Sequence, residues 1–335
     1  MAFAGPIDLA PAALLRAKFE QKRQELLNTG LYLGDPAFCD FVDQRVVWRR
    51  IGGYEDRLVT KASADALADF QDTLAACEFV GNAEQRECLP ELVSAKLSVV
   101  VYITPEDYWL TSCGMWKKPT SGCRTFDKMK LSCTGVAPTH EVFQPDFGTA
   151  ALNLRALLQK VANPAGPVSG VLVRGEGDVE KIKFRHVLFE PISDAEDSGQ
   201  NHVEGNNVLP EFDIAVWPAH FDAAKEALQN MVSTHRVVPV PAYNIQGNLI
   251  HPEQYRKHLE RATARVTFSL KHWCIGAKYK GSGVPGDDTY IADIESIRVL
   301  EPPRSPVPDT PRKRKIAATD PLDIEMSPSR RSRTG

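Results

Sequence analysis

Among the residues that could do chemistry, three cysteines and a histidine stand out by their spacing. Cys113, Cys123 and Cys133 recur every ten residues, and His140 follows. Three thiolates and an imidazole are a donor set for zinc, but structural zinc sites close a knuckle of two cysteines about two to four residues apart, and the sequence has none. What remains is a set of reduced, mostly buried thiols, too scattered for a disulfide scaffold, with no metal and no cofactor expected. Gly281-Ser282-Gly283-Val284-Pro285-Gly286 spells GxGxxG. A dinucleotide site needs that turn to open a helix, whereas Asp287-Asp288-Thr289-Tyr290 leads into a strand, so the segment reads as a hairpin tip. Asp146 and Glu180-Lys181-Ile182-Lys183 could be sought as a metal nuclease, because carboxylates and a lysine can hold magnesium and polarise a phosphate. Glu180 and Lys183 are three apart, which on a strand sends them to opposite sides. His186, on an apolar strand face, reads as a hydrogen-bonded core histidine. With no hydrolase elbow, P-loop or HExxH either, no catalytic residue is assigned.

Two basic segments with interleaved aromatics point to a different chemistry. Residues 107–130 hold Tyr108, Trp109, Trp116 and Phe126 among Lys117, Lys118, Arg124, Lys128 and Lys130. Residues 255–280 hold Phe268, Trp273 and Tyr279 among Arg256, Lys257, Arg261, Arg265, Lys271, Lys278 and Lys280, opposed only by Glu260. Single-stranded nucleic acid is held in this way, by cations on the phosphates and flat rings under unstacked bases. The candidate binding residues are therefore Trp273, Tyr279, Arg265, Lys271, Lys278 and Lys280, with Trp116, Lys117 and Lys118 from the first segment. A solvated polar face over a core of Phe268 and Trp273 would have a similar composition. That plainer reading is equal for the second segment and stronger for the first.

The elements that must position these residues follow from periodicity. Asp8 can cap a helix with Pro11 in its first turn, and Leu14, Leu15, Phe19, Leu26 and Leu27 mark one face up to Gly30. Ser63 opens a second helix with Leu67, Phe70 and Leu74 on a stripe. Residues 97–103 form a strand buried on both faces, and 181–189 alternates Ile182, Phe184, His186 and Leu188 with Lys183, Arg185 and Val187. Helices are expected near 148–161 and 220–231. Arg265, Thr267, Ser269 and Lys271 alternate with Val266, Phe268 and Leu270, the pattern of a half-buried antiparallel strand. A Gly-rich loop leads to Tyr290, Ala292 and Ile294, and the apolar phase then steps by three to Ile297, which implies a bulge near Glu295-Ser296. Residues 264–300 are thus read as a long hairpin.

The run from Ile245 to Tyr255, Val266 to Trp273 and Tyr290 to Leu300 resembles the closing section of an OB-fold-like single-stranded DNA-binding protein. The resemblance covers about a fifth of the chain, and an OB fold is defined by its barrel more than by a motif, so no binding residue transfers by identity. The expected fold class is α+β. It comprises a helical N-terminal region over 1–90, a mostly antiparallel β body over 91–301 forming an OB-like barrel or sheet, and a disordered basic tail over 302–335.

Ordinary globular proportions support that body: 335 residues with 43% hydrophobic and 25% charged. Its longest apolar runs, such as 99–103, are far short of the about 20 residues a spanning helix needs. The first residues lack a signal peptide's basic start and apolar run, so the chain is expected to fold inside the cell. The tail is rich in proline, has no aromatic residue and carries eight Lys and Arg against four Asp and Glu, which leaves the body with 32 against 39. Arg312, Lys313, Arg314 and Lys315 read as a nuclear import signal, implying an import receptor as partner and the nucleus as location. Ser305, Thr310 and Ser327 each precede a proline and are expected sites for a proline-directed kinase, whose phosphates add about −1.5 to −2 each. The function expected is single-stranded DNA or RNA binding without catalysis. The alternatives are an interaction or scaffold module of a nuclear complex and, less favoured, a metal-dependent nucleic-acid enzyme.

Overall fold

The computed structural model describes residues 11–76, 89–116, 125–163, 168–192, 210–275 and 287–303. The chain divides into two units, residues 1–303 and 304–335, and every described residue belongs to the first. In chain order the helices are α1 (Pro11–Thr29), α2 (Phe38–Arg45), α3 (Lys61–Ala76), α4 (Gln144–Gln159), α5 (Asp222–Met231) and α6 (Tyr255–Leu259). The strands are β1 (Val46–Gly52), β2 (Glu55–Thr60), β3 (Leu97–Ile103), β4 (Lys130–Val136), β5 (Val168–Ser169), β6 (Leu172–Arg174), β7 (Glu180–Val187), β8 (Phe189–Pro191), β9 (His235–Val237), β10 (Ala242–Tyr243), β11 (Thr263–Ile275) and β12 (Asp287–Glu301). Among the described residues no helix is long and apolar enough to cross a membrane.

The fold is α+β, and its sheet is mostly antiparallel. Strand pairings run β3–β4–β7–β12–β11 and return to β3, so five strands form a circuit. Every junction is antiparallel except β7–β12. Two of the seams are short, with two paired residues at β3–β4 and two at β7–β12. The ring is therefore partly open, as small OB-like barrels are. At the β3–β4 seam Gly135 lies so close to β3 that an added Cβ would come within 2.6 Å of the Val101 side chain, and only glycine permits that approach.

Alternation fills the ring. Val99, Val101, Leu131, Cys133, Ile182, Phe184, Val266, Phe268, Leu270, Ala292 and Ile294 are buried in one cluster. The outer side of β3 is also covered, because Phe19 and Leu26 of α1 pack with Tyr32, Val100, Phe143 and Leu300 in a second cluster. This explains why 97–103 reads as a strand buried on both faces. Leu14, counted on the apolar face of α1, is instead 59% exposed, since the helix docks through residues further along it. The N-terminal region also holds more than helices: β1 and β2 form a hairpin that joins the sheet through β2 and β11. The 264–300 hairpin is present, with Phe268 opposite Ile294 and Thr267 opposite Ser296, so Glu295 is the extra residue of the expected bulge.

Candidate nucleic-acid interface

Arg265, Thr267, Ser269, Lys271 and Trp273 lie on the outward side of β11, Ser269 itself being covered, while Ala264, Val266, Phe268, Leu270 and His272 turn inward and are buried. Register extends the Lys271 position sideways. Lys271 pairs with Arg57 of β2, and Arg57 pairs with Arg49 of β1. In the other direction Ser269 pairs with Asp293 of β12, Asp293 with Arg185 of β7, and Arg185 with Ser132 of β4. Four cations, Arg49, Arg57, Lys271 and Arg185, are thus carried across five adjacent strands on one face, a span of about 20 Å at the usual strand spacing. Lys183, exposed on β7, extends the row, and Trp273 stands beside it, half-buried between Glu55 and Thr289.

One carboxylate organises the centre. Asp293 accepts a bidentate pair from Arg185 at 2.9 and 3.2 Å and an ion pair from Lys271 at 2.8 Å. Burial alone would raise the Asp293 carboxyl, but the hydrogen bond and charge of Arg185, then those of Lys271, hold it below the usual value. Lys271 is therefore an anchored cation with a partner, its side chain 27% exposed. At the end of the row Arg57 is held by Glu55 at 3.0 Å.

On the opposite side of the same strands sits a group that sequence reasoning missed. His272 places Nδ1 2.9 Å from Asp56 Oδ2 and Nε2 2.8 Å from Asp288 Oδ1, all three side chains being buried. A carboxylate oxygen accepts, so a ring nitrogen that carries a hydrogen donates it to the carboxylate it faces. Arg50 completes the group with two bonds to Asp56 at 2.5 and 3.0 Å. Each member is tied to another, and Asp288 Oδ2 also accepts from the Asn163 N–H, which makes this group a structural tie between β1, β2, β11 and β12. The only signal in the sequence was the inward phase of His272; its partner Asp56 is 216 residues away.

The other sequence candidates fall into three groups. Arg265, Lys271 and Trp273 share one face, with Arg265 and Lys271 near its opposite ends. Trp116, partly buried, packs its ring 4.8 Å from the buried Phe126, which in turn meets Phe189. Lys117, Lys118, Tyr279, Lys278, Lys280, the GxGxxG turn, Ser305, Thr310, Arg312, Lys313, Arg314, Lys315 and Ser327 lie outside the described residues.

The remaining chemistry is spent structurally. Cys113 and Cys133 are buried, and burial pushes the Cys133 thiol up to about 12, while Cys123 is outside the described residues. Asp146 accepts two bonds from Arg23 and one from the Tyr32 hydroxyl, and Glu180 is paired with Arg155. The His186 Nε2 donates to the Val238 carbonyl at 2.7 Å, as a core histidine does.

No protein-family model and no curated protein matches the sequence. Among solved structures the chain is similar to the single-stranded DNA-binding protein from bacteriophage Enc34 in complex with ssDNA, at 10% identity and a TM-score of 0.30 over 62% of this chain and 86% of that one. The C-terminal truncation of the Enc34 protein gives 10% identity and a TM-score of 0.30 over 78% and 98%. The single-stranded DNA-binding protein gp2.5 of bacteriophage T7 gives 6% identity and 0.26 over 72% and 100%.

Proposed function

We propose that the chain binds single-stranded DNA, without catalysis, through the outer face of its strand ring. The observation that carries this is the row Arg49, Arg57, Lys271 and Arg185, held in register across five strands beside the half-buried ring of Trp273. Cations fixed at strand spacing suit a flexible phosphate chain, and an indole next to them accepts a base in stacking. The connections 104–129 and 276–286, which link β3 to β4 and β11 to β12, carry the basic aromatic segments. In a five-stranded OB ring the corresponding loops, with the face of the second and third strands, are where oligonucleotides bind.

The test is fluorescence anisotropy of the full chain with labelled single-stranded and duplex oligonucleotides at two salt concentrations. A preference for the single strand that weakens with salt is expected, each phosphate contact contributing about −0.7 to the log–log slope. Lys183→Glu and Arg49→Glu should each weaken it. Absence of salt-sensitive affinity for any single strand would remove this reading and leave the interaction-module reading in its place.

Nuclear location belongs to the same proposal. Arg312, Lys313, Arg314 and Lys315 would be read by an import receptor, and kinase action at Ser305, Thr310 and Ser327 would offset the tail's positive charge. Replacing the four basic residues with Ala in a fluorescent fusion should move it to the cytoplasm; an unchanged nuclear signal would remove this part.

A further inference from the structure

At the other end of β11, six residues and thus about 20 Å from Lys271 along the strand, the outer face opens into a second basic feature. Here Arg265 and Arg298 stand directly opposite each other across the β11–β12 pair. Like charges so placed repel. The Arg265 Nε is closed off from solvent and has no hydrogen-bond partner among the described residues. Burial, and then the charge of Arg298, draw the Arg265 guanidinium below its usual value, with Glu25 acting in the opposite direction. Orphaned buried donors are uncommon and costly, so a group of this kind calls for an acceptor.

The surroundings are shaped as a receptacle. A cavity of about 620 Å³ lies between the two arginines, the Tyr243 to Gly247 turn and the face of α1 that carries Lys18 and Lys22. The two lysines are four residues apart, one helical turn, so they reach the same opening. Arg298 is fixed by donating to the Ile245 carbonyl at 3.0 Å. Gly247 closes over it at φ +99°, where an added Cβ would lie 2.6 Å from the guanidinium Nη1. No side chain other than glycine takes that conformation at that distance without displacing the arginine. Among the described residues that line the cavity four are cations and none is a carboxylate. Glu25 is nearby and is spent on an ion pair with Lys22.

We propose that this cavity is a phosphate-binding site, with the Arg265 and Arg298 guanidiniums as its floor and Lys18 and Lys22 at its mouth. Two converging guanidiniums match the several acceptor oxygens of a phosphoryl group, whose charge would cancel the repulsion between them. The space exceeds one phosphate, and Tyr243 lines it, so the group would arrive on a phosphorylated ligand of about nucleotide size. The ligand is either a free nucleotide or a phosphate of a nucleic-acid strand. The site does not depend on the Lys271 row and stands or falls separately from it.

Isothermal titration of the full chain with pyrophosphate and with dTMP, alongside strand binding by anisotropy, tests this. The variants are Arg265→Gln and, as a pair that cannot disturb the core, Lys18→Gln with Lys22→Gln. Binding of pyrophosphate or dTMP that weakens about tenfold or more in both variants is expected, the scale of a lost hydrogen bond to a charged group. If strand affinity falls with it and pyrophosphate competes with the strand, the phosphate belongs to the strand. If strand affinity is unchanged or absent, the ligand is a free nucleotide and the site stands alone. No binding of either compound, or binding that neither variant alters, overturns the proposal even where strand binding is strong.

Discussion

Asp293 is the residue whose removal should be most informative, because it is the one acid at the centre of the basic row. Its carboxylate neutralises Arg185 and Lys271 together. Asp293→Asn leaves the shape and removes the charge, so affinity for a single strand should rise by about fivefold at low salt, the worth of one unit charge at contact distance in water. The gain should fade once the Debye length falls to about 8 Å or less. The same change should lower stability by about 1–3 kcal/mol, since Arg185 loses a partly buried bidentate partner. Anisotropy and urea unfolding read the two effects, and weaker binding in the variant would place the strand elsewhere. His186 makes a prediction of the opposite kind, concerning the proton. Burial lowers its pKa from the ordinary 6.5, so the unfolded chain takes up a proton before the folded one does. Its contribution to stability is therefore complete above pH 6.5 and lost as pH falls from there towards the folded value. Unfolding midpoints from pH 8 to pH 5 should drop more steeply in the wild type than in His186→Gln, and equal slopes would show that His186 is not the titrating group.

At the scale of elements, the β1–β2 hairpin is tied to the ring by few residues, and His272 is the most buried of them. Removing it takes one partner from each of the buried Asp56 and Asp288 carboxylates, which keep Arg50 and the Asn163 N–H, so His272→Ala should cost about 1–3 kcal/mol. Hydrogen exchange should localise the damage: amides of residues 46–60 should lose protection while those of β3 and β4 keep theirs, and uniform loss would mean that the hairpin and ring are one cooperative unit. This tie also shows where sequence reading stops. The β11–β12 hairpin, its Glu295 bulge, β3, β7 and the α1, α3, α4 and α5 helices were legible because each is dictated by local periodicity. The same alternation put Lys183 and Arg185 on the polar side of β7, but that they stand in a row with Arg57 and Arg49 depends on register between strands more than a hundred residues apart. Pairing of this kind leaves no trace in either segment alone. Leu14 failed for a related reason: apolar spacing marks a face of α1 without saying where along the helix the sheet begins.

At the scale of the whole molecule, charge is divided unevenly between the body and the tail. Residues 1–301 carry 32 Lys and Arg against 39 Asp and Glu, while 302–335 carry eight against four. A net-negative body can bind a polyanion only through a surface where its cations are gathered, which is what the register of Arg49, Arg57, Lys271 and Arg185 achieves. The basic tail is a different kind of contributor: its charge can add affinity for any nucleic acid, with no means of distinguishing a single strand from a duplex. A chain ending at residue 303 separates the two. If the sheet face is the interface, truncation should lower affinity for the duplex at least as much as for the single strand and make the salt slope shallower, by about 0.7 for each tail cation that had met a phosphate of the single strand and about 0.9 for each on the duplex. The ratio of single-strand to duplex affinity should not fall, because the discriminating surface is untouched. Loss of that ratio on truncation would move the recognition to the tail and leave the ordered row of cations as a solvated face.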